Sequence, residues 1–173
     1  MSKPKKALFF TAVGLLMAVI VGSYAFMSHG KPLNEIEINF PSHHLSSADL
    51  QSFLAGDFTT VQDMRQLPGP VLQAYTERGG SRLVMANPGK RFEATDYISD
   101  SSVPRKRLIF AAVSKDKCIV HYEQGGLAHS YVIGLFKLSS NKAEPVWQGY
   151  CKAKDLEDLR WEAASRYCKS FGE

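Results

Sequence analysis

The sequence predicts an α+β domain: short helices, then an antiparallel β-meander of about four to five strands, then a C-terminal helix packed on the sheet. Helical spacing of apolar residues occurs only before and after a central region of strand-like runs. The connections between the last four of these runs are about two to six residues long, which is typical of hairpins rather than crossovers. The composition, 45% hydrophobic and 22% charged, indicates a globular protein with a buried core.

The chain begins with a basic tip and an apolar segment. Three lysines precede residues 7–27, a run of about 21 residues without a charge, which is enough for a helix to cross a lipid bilayer. The positive-inside rule keeps such an N-terminus in the cytoplasm and sends the rest across the membrane. We therefore expect a tip with a transmembrane or signal segment (1–28), a tether (29–45) and a periplasmic or extracellular domain (46–173).

A cleaved signal peptide has the same general features. Ser23 and Ala25 are small residues at the two positions that a signal peptidase reads, so cleavage after Ala25 would release a secreted domain. The apolar run up to Gly22 is about 16 residues, longer than the usual signal core of roughly 7 to 15, and this favours a retained anchor. The domain lies outside the cytoplasm in both cases.

The apolar segment also carries a repeat of small residues. Gly14, Ala18 and Gly22 recur every four residues and so share one helix face, where a second helix can approach closely. This pattern indicates a homo-oligomer, although glycine and alanine are common in membrane helices and the spacing also arises by chance.

Three short helices are expected before the sheet. Ser46 or Ser47 can cap the first, which has an apolar face, and a second is expected over residues 61–67. Pro70 suits the first turn of a third helix, and the glycine pair at 79–80 provides its end.

Strand patterns follow these helices. The predicted strands cover residues 82–86, 107–113, 118–124, 129–138 and 145–151. Residues 34–40 alternate polar and apolar side chains and can add an edge strand. A final amphipathic helix is expected over residues 155–167, with Asp155 as its cap.

Three cysteines allow one disulfide in an exported domain. If the final helix covers residues 155–167, Cys151 and Cys168 lie at its opposite ends, about 25 Å apart, and cannot be bridged. The remaining pairs are Cys118 with Cys151, which share the sheet, and Cys118 with Cys168. The alternative is that all three are unpaired thiols.

Two histidines flank the glycine pair of one predicted hairpin. If the pair at 125–126 forms a two-residue turn, Tyr122 pairs with His129 and His121 lies on the opposite face. A longer loop returns both histidines to one face, where Glu123 can complete a metal-ligand or acid–base set. We expect the short turn, with the two histidines in separate positions.

Residues 87–104 form a connection of about 18 residues, longer than compact domains usually leave without structure. Phe92 and Tyr97 offer contact area, Asp96 offers charge, and Arg105 follows directly, so we expect a binding surface here. The alternative is that part of the loop is another strand or helical turn and that the basic residues after it only keep a sheet edge soluble.

Charge and motifs exclude several classes of function. The formal net charge of +4 comes mostly from the lysines before the apolar segment, so the domain is near neutral and nucleic-acid binding is not expected. The sequence contains no nucleophile elbow, phosphate loop, dinucleotide-binding motif or H-E-x-x-H, and we expect no cofactor. The sequence favours a non-catalytic module, anchored in the lipid bilayer, that binds another envelope or exported protein.

Two alternatives to this function remain. One is a small hydrolase or metal-dependent enzyme that uses His121 and His129 with a nearby carboxylate, Glu123 or Asp96. The other is a structural subunit of an envelope complex that self-associates through the small-residue repeat.

Overall fold

The computed structural model describes residues 38–42, 44–76, 83–95, 100, 102–126 and 128–171, all within the compact unit Leu33–Glu173. The predicted membrane or signal segment lies outside these ranges, with Gly14, Ala18 and Gly22, as do Asp96 and Tyr97 of the predicted binding surface. In the part of the chain that is described, no helix has the length and apolar character needed to cross a bilayer.

A mostly antiparallel sheet forms the centre of the domain. Its four long strands are β3 (Lys106–Val113), β4 (Lys117–Gln124), β5 (Ser130–Ser139) and β6 (Lys142–Tyr150), and each pairs antiparallel with the next. Short strands complete both edges: β1 (Thr59–Val61) and β2 (Met85–Ala86) both pair with β3, and β7 (Lys169–Ser170) pairs with β6. The α+β class predicted from the sequence is confirmed at this level, and β1 and β7 are strands that the sequence patterns did not predict.

Buried side chains project from both faces of the central strands, and other elements therefore cover both faces of the sheet. Helices α1 (Ser47–Leu54) and α3 (Leu156–Ala164) cover one side, called here the helix face. Its fully buried side chains include Leu54, Phe110, Ile119, Ile133, Leu135, Trp147 and Leu159. Burial of each such side chain contributes about 1.5–3 kcal/mol.

The other side, called here the groove face, is covered by smaller elements. They are a 3-10 helix (Met64–Gln66) and α2 (Gly69–Ala74), which pack on the sheet through Met64, Val71 and Tyr75. The sheet residues of this cluster include Leu108, Val120, Tyr122, Val132 and Phe136.

Two β-bulges break the alternation along the strands. The register of β3 on β4 shifts between Leu108 and Phe110, so Ile109 is an extra residue. Leu108 therefore packs on the groove face and Phe110 on the helix face, although residues two apart normally share a face. A second shift between Leu135 and Phe136 leaves Val146 as the extra residue of β6.

The helices agree with the sequence at their starts and less well at their ends. The Ser46 hydroxyl caps α1 by accepting from the Asp49 backbone N–H at 3.1 Å, and Pro70 lies in the first turn of α2. The helix predicted over residues 61–67 is wrong in part, because Val61 ends β1 and only Met64–Gln66 is helical. Residues 38–40 of the predicted edge strand are not a strand, and the rest of that run lies outside the described ranges.

The final helix is shorter than predicted. Asp155 caps it as expected, accepting from the Asp158 backbone N–H at 2.8 Å, but the helix ends at Ala164 rather than near Tyr167. Arg166 then adopts a φ of 61°, which reverses the chain and lets β7 pair with β6.

This reversal changes the disulfide. Cys151 and Cys168 are bonded, with their α-carbons 4.5 Å apart, so the pairing of Cys118 with Cys151 predicted from the sequence is wrong. The estimated separation of about 25 Å assumed a helix that continued to Cys168. Cys118 is a free, buried thiol on the groove face, and burial raises its pKa to about 12.

Candidate binding surface

The long connection before β3 is fixed to the domain at its start. The Asn87 side chain accepts from the Met64 backbone N–H at 2.8 Å and donates to the Asp63 carboxylate at 3.0 Å. The Arg65 backbone N–H donates to the same carboxylate at 3.0 Å, and these two bonds hold the pKa of Asp63 below its ordinary value. The loop therefore begins at a defined position.

The middle section of this long connection packs against the turn between β4 and β5. The backbone of Glu93 donates to Pro104 at 2.9 Å, and the backbone of Gly125 donates to Arg105 at 2.8 Å. A Cβ on Gly125 would overlap the Glu93 carbonyl, so only glycine allows this approach. This part of the loop is not an independent strand or helix within the described residues 87–95.

A polar and aromatic cluster fixes the loop to the end of the sheet. Arg107 donates through Nε to Oε1 of Glu123 at 2.8 Å, and His129 Nε2 lies 3.0 Å from the other oxygen, Oε2. The Arg107 guanidinium also stacks on the predicted binding residue Phe92, 4.3 Å from its ring centre. Both oxygens of Glu123 are thus engaged, and its side chain is only 13% exposed.

The two histidines of this hairpin occupy different environments. The predicted two-residue turn is wrong: Gln124 pairs with Ser130 and Tyr122 with Val132, so the connection spans residues 125–129. His121 is fully buried against Phe110 and donates through Nε2 to the Cys151 carbonyl at 2.8 Å.

His129, by contrast, is 39% exposed beside Glu123. The longer connection places His129 on the same face of the sheet as His121 and Glu123, as the alternative expected, but hydrogen bonds bring only His129 and Glu123 together and hold His121 in the interior.

Burial also sets the ionisation of His121. Its Nδ1 is buried and has no hydrogen-bond partner among the described residues. Burial lowers the pKa of His121, against smaller opposing effects of the Cys151 carbonyl and of Glu123 and Asp158. The neutral imidazole is therefore the favoured form.

A concavity on the groove face lies at the end of the sheet where β3 begins and β4 ends. It consists of two hollows of about 390 Å³ and about 400 Å³ that share Gln124, and together they are called here the sheet-end groove. The first is lined by Ile38, Asn39, Phe40, Lys106, Tyr122, Gln124, Gln148 and Phe171. The second is lined by Arg105, Gln124, Gly125, Gly126, Ala128, Ser130 and Tyr150.

The floor of the groove is built from aromatic side chains. Phe40 packs edge-on against Phe136, and both lie over Gly134, where a Cβ would come within 2.9 Å of the Phe40 ring. Gln148 donates to the Tyr122 hydroxyl at 2.8 Å. At the rim, the rings of Tyr150 and Phe171 stack 4.3 Å apart and both are exposed.

The groove has a clear chemical character. Of the described residues that line it, two are cations, Arg105 and Lys106, three carry side-chain amides, and none is acidic. The Arg105 Nε is buried and has no hydrogen-bond partner among the described residues. Cations, amides and exposed aromatic rings together suit recognition of carboxylates and peptide groups.

The sequence predicted only part of this surface. Arg105 lines the groove, whereas Phe92 belongs to the neighbouring cluster with Arg107 and His129. Gln124, Gln148, Tyr150 and Phe171 were not singled out. A glycine inside a strand, Gly134, is a signal of close approach that could have drawn attention to this face.

The chain matches no protein-family model, no curated protein and no solved structure.

Proposed function

We propose that this chain is a non-catalytic binding module, anchored in a membrane with its domain outside the cytoplasm, and that the sheet-end groove binds a partner polypeptide. The observation that carries the proposal is the groove itself. It combines two cations, exposed stacked aromatic rings and amide side chains at one end of a rigid sheet. Such a set offers binding energy and hydrogen bonds without a nucleophile or a general base.

The partner class follows from the charge of the lining. Arg105 and Lys106 are adjacent, and Gln124 and Gln148 add donors and acceptors for peptide groups. We therefore propose an envelope or exported protein that presents an acidic segment with at least one aromatic or apolar side chain. The stacked pair of Tyr150 and Phe171 provides contact area for that side chain.

Site-specific photo-crosslinking in cells tests this proposal. A photoreactive residue at Gln148, inside the groove, should give a discrete adduct with one polypeptide, and one at the exposed Thr60 on the far edge should not. The substitution Lys106→Glu should reduce the adduct at least about tenfold, because it repels an acidic partner. Lys142→Glu, an exposed reversal away from the groove, is the matched control.

Two outcomes would count against the groove as the binding site. One is the absence of any adduct from Gln148 under all growth conditions. The other is an adduct that forms equally from Thr60 or persists in Lys106→Glu.

A second candidate function is a small hydrolase, which the contact between His129 and Glu123 favours. A carboxylate at 3.0 Å from an imidazole can orient it as a general base. His129→Gln should abolish hydrolysis of generic ester substrates if this function is real, and should leave partner crosslinking from Gln148 unchanged. Activity that survives this substitution would remove the candidate.

The proposed anchor has its own test, because residues 7–27 decide attachment. The intact mass of the mature chain separates a retained segment from cleavage after Ala25. If the segment is retained and self-associates, replacing Gly14 and Gly22 with leucine should reduce the oligomer size.

A further inference from the structure

A carboxyl group lies beside the disulfide. One carboxylate oxygen of Glu162, on α3, and the sulfurs of Cys151 and Cys168 all lie within 4.8 Å of one another. The Lys152 backbone N–H lies near this carboxyl group and favours its ionised form. Its Oε2 is buried and has no hydrogen-bond partner among the described residues.

An unpartnered buried oxygen is costly on an ionised carboxylate and much less costly on a neutral acid. Burial raises the pKa of Glu162; the Lys152 N–H opposes this, Asp158 on the same helix adds to it, and the Lys152 ammonium opposes it again. A further titratable group nearby is His121 of β4, which bonds the Cys151 carbonyl. At a pH below the raised pKa of Glu162, the site thus holds a proton donor next to two sulfurs.

A disulfide that only cross-links the chain needs no such acid beside it. We propose that Cys151–Cys168 is a site of thiol–disulfide exchange with a dithiol protein, in which Glu162 gives its proton to the leaving Cys151 sulfur. This proposal does not depend on the sheet-end groove.

The difference in burial between the two sulfurs sets the direction of the reaction. Cys151 is buried and Cys168 is half-buried, so an incoming thiolate reaches Cys168. The attack forms a mixed disulfide with Cys168 as the Cys151–Cys168 bond breaks, and Cys151 leaves with the electron pair and takes the proton of Glu162.

The second thiol of the reductant then loses its proton to solvent and attacks the mixed disulfide. Cys168 leaves as a thiolate and is protonated from water, and Glu162 regains its proton from solvent. The dithiol is oxidised to a disulfide, and the two cysteines are reduced to thiols.

Exposed aromatic rings adjoin this site. Trp161 and Tyr167 are 60% and 63% exposed, and their ring centres are 5.7 Å apart. They neighbour Glu162 and Cys168 in sequence and provide apolar contact area for a protein partner that brings the dithiol.

The rate of reduction of the full chain by dithiothreitol tests the proposal. Samples are quenched in acid, alkylated and weighed by mass spectrometry, and rates are divided by the concentration of dithiothreitol thiolate at each pH. At a pH low enough to keep Glu162 protonated, the native chain should be reduced at least about tenfold faster than Glu162→Gln, since general acids typically contribute 10²–10⁴-fold. The control Glu157→Gln, exposed on the same helix, should match the native chain.

Two results with Glu162→Gln would contradict the proposal. If Glu162→Gln is reduced as fast as the native chain, the carboxyl group has no part in exchange; if it is reduced faster, an ionised Glu162 merely repels thiolates. The native chain gives an independent measurement: its thiolate-corrected rate should fall as Glu162 ionises with rising pH. A flat profile would mean that solvent alone supplies the proton and would overturn the proposal.

Discussion

The same strands form both faces of the sheet, but other elements cover the two faces to different extents. On the helix face, α1 and α3 cover the sheet as far as Trp147 and Cys151, and the chain is bonded back on itself at Cys168. On the groove face, the cover of α2 stops short, and Lys106, Gln124 and Tyr150 line the open end of the sheet. Closure stabilises one face, and incomplete cover leaves the proposed binding groove on the other.

Substitution of Trp147 should cause the largest loss of stability if the main hydrophobic core lies on the helix face. It is almost fully buried, and its indole N–H donates to Ser170 at 3.2 Å. We expect Trp147→Ala to lower the free energy of unfolding by about 3–5 kcal/mol in urea titrations. Trp161→Ala, at an exposed position, should change it by no more than about 0.5 kcal/mol. Equal effects would mean that the helix face is not the main core.

Removal of the disulfide should cause the second-largest loss of stability. It closes a loop over a sequence separation of 17, for which the loss of loop-closure entropy in the unfolded chain is worth about 3 kcal/mol. Replacing both Cys151 and Cys168 with alanine should lower the midpoint of thermal unfolding and separate β7 from β6, which hydrogen exchange at Ser170 would report. Cys118→Ala leaves the cross-link intact and serves as the comparison.

His121 should make the helix face sensitive to acid. Its folded pKa lies below the ordinary value of 6.5 because of burial, so between these two values the unfolded chain binds a proton that the folded chain does not. Stability should be fully present above 6.5 and fall as the pH drops towards the folded value. His121→Gln keeps a donor for the Cys151 carbonyl and should remove this part of the pH dependence of unfolding; an unchanged slope would assign it to other groups.

Phe171 should show the smallest effect on stability and a clear effect on binding. Its ring is exposed and stacks on Tyr150 at the rim of the groove. Phe171→Ala should change the free energy of unfolding by no more than about 0.5 kcal/mol, while the crosslink from Gln148 should weaken. A large loss of stability would show that this rim belongs to the core and not to a binding surface.

Much of the fold was predictable because its signals are local. The four long strands follow from short apolar runs, and Ser46 and Asp155 cap helices through bonds to backbone groups only three residues away. The disulfide failed as a prediction because it depended on where one helix ends. The helix ends because Arg166 adopts a positive φ, and an arginine in the sequence does not predict that conformation.

The proposed binding surface was predictable only where it adjoined a long loop. Arg105 was identified there, but Gln148 and Phe171 reach the same groove through strand pairing and the return of β7. The register of the β4–β5 hairpin was missed because the backbone of Glu93 packs on Gly125, and that contact comes from a distant part of the chain.

The sequence by itself determined the class of the fold, the central strands and the starts of the helices. Apolar periodicity and capping act between residues close in the chain, so they can be read in order. Only the tertiary structure decided the two bulges, the Cys151–Cys168 bond, the environment of Glu162 and the limits of the groove. Each of these depends on which distant segments come into contact, and packing of both sheet faces fixes those contacts together.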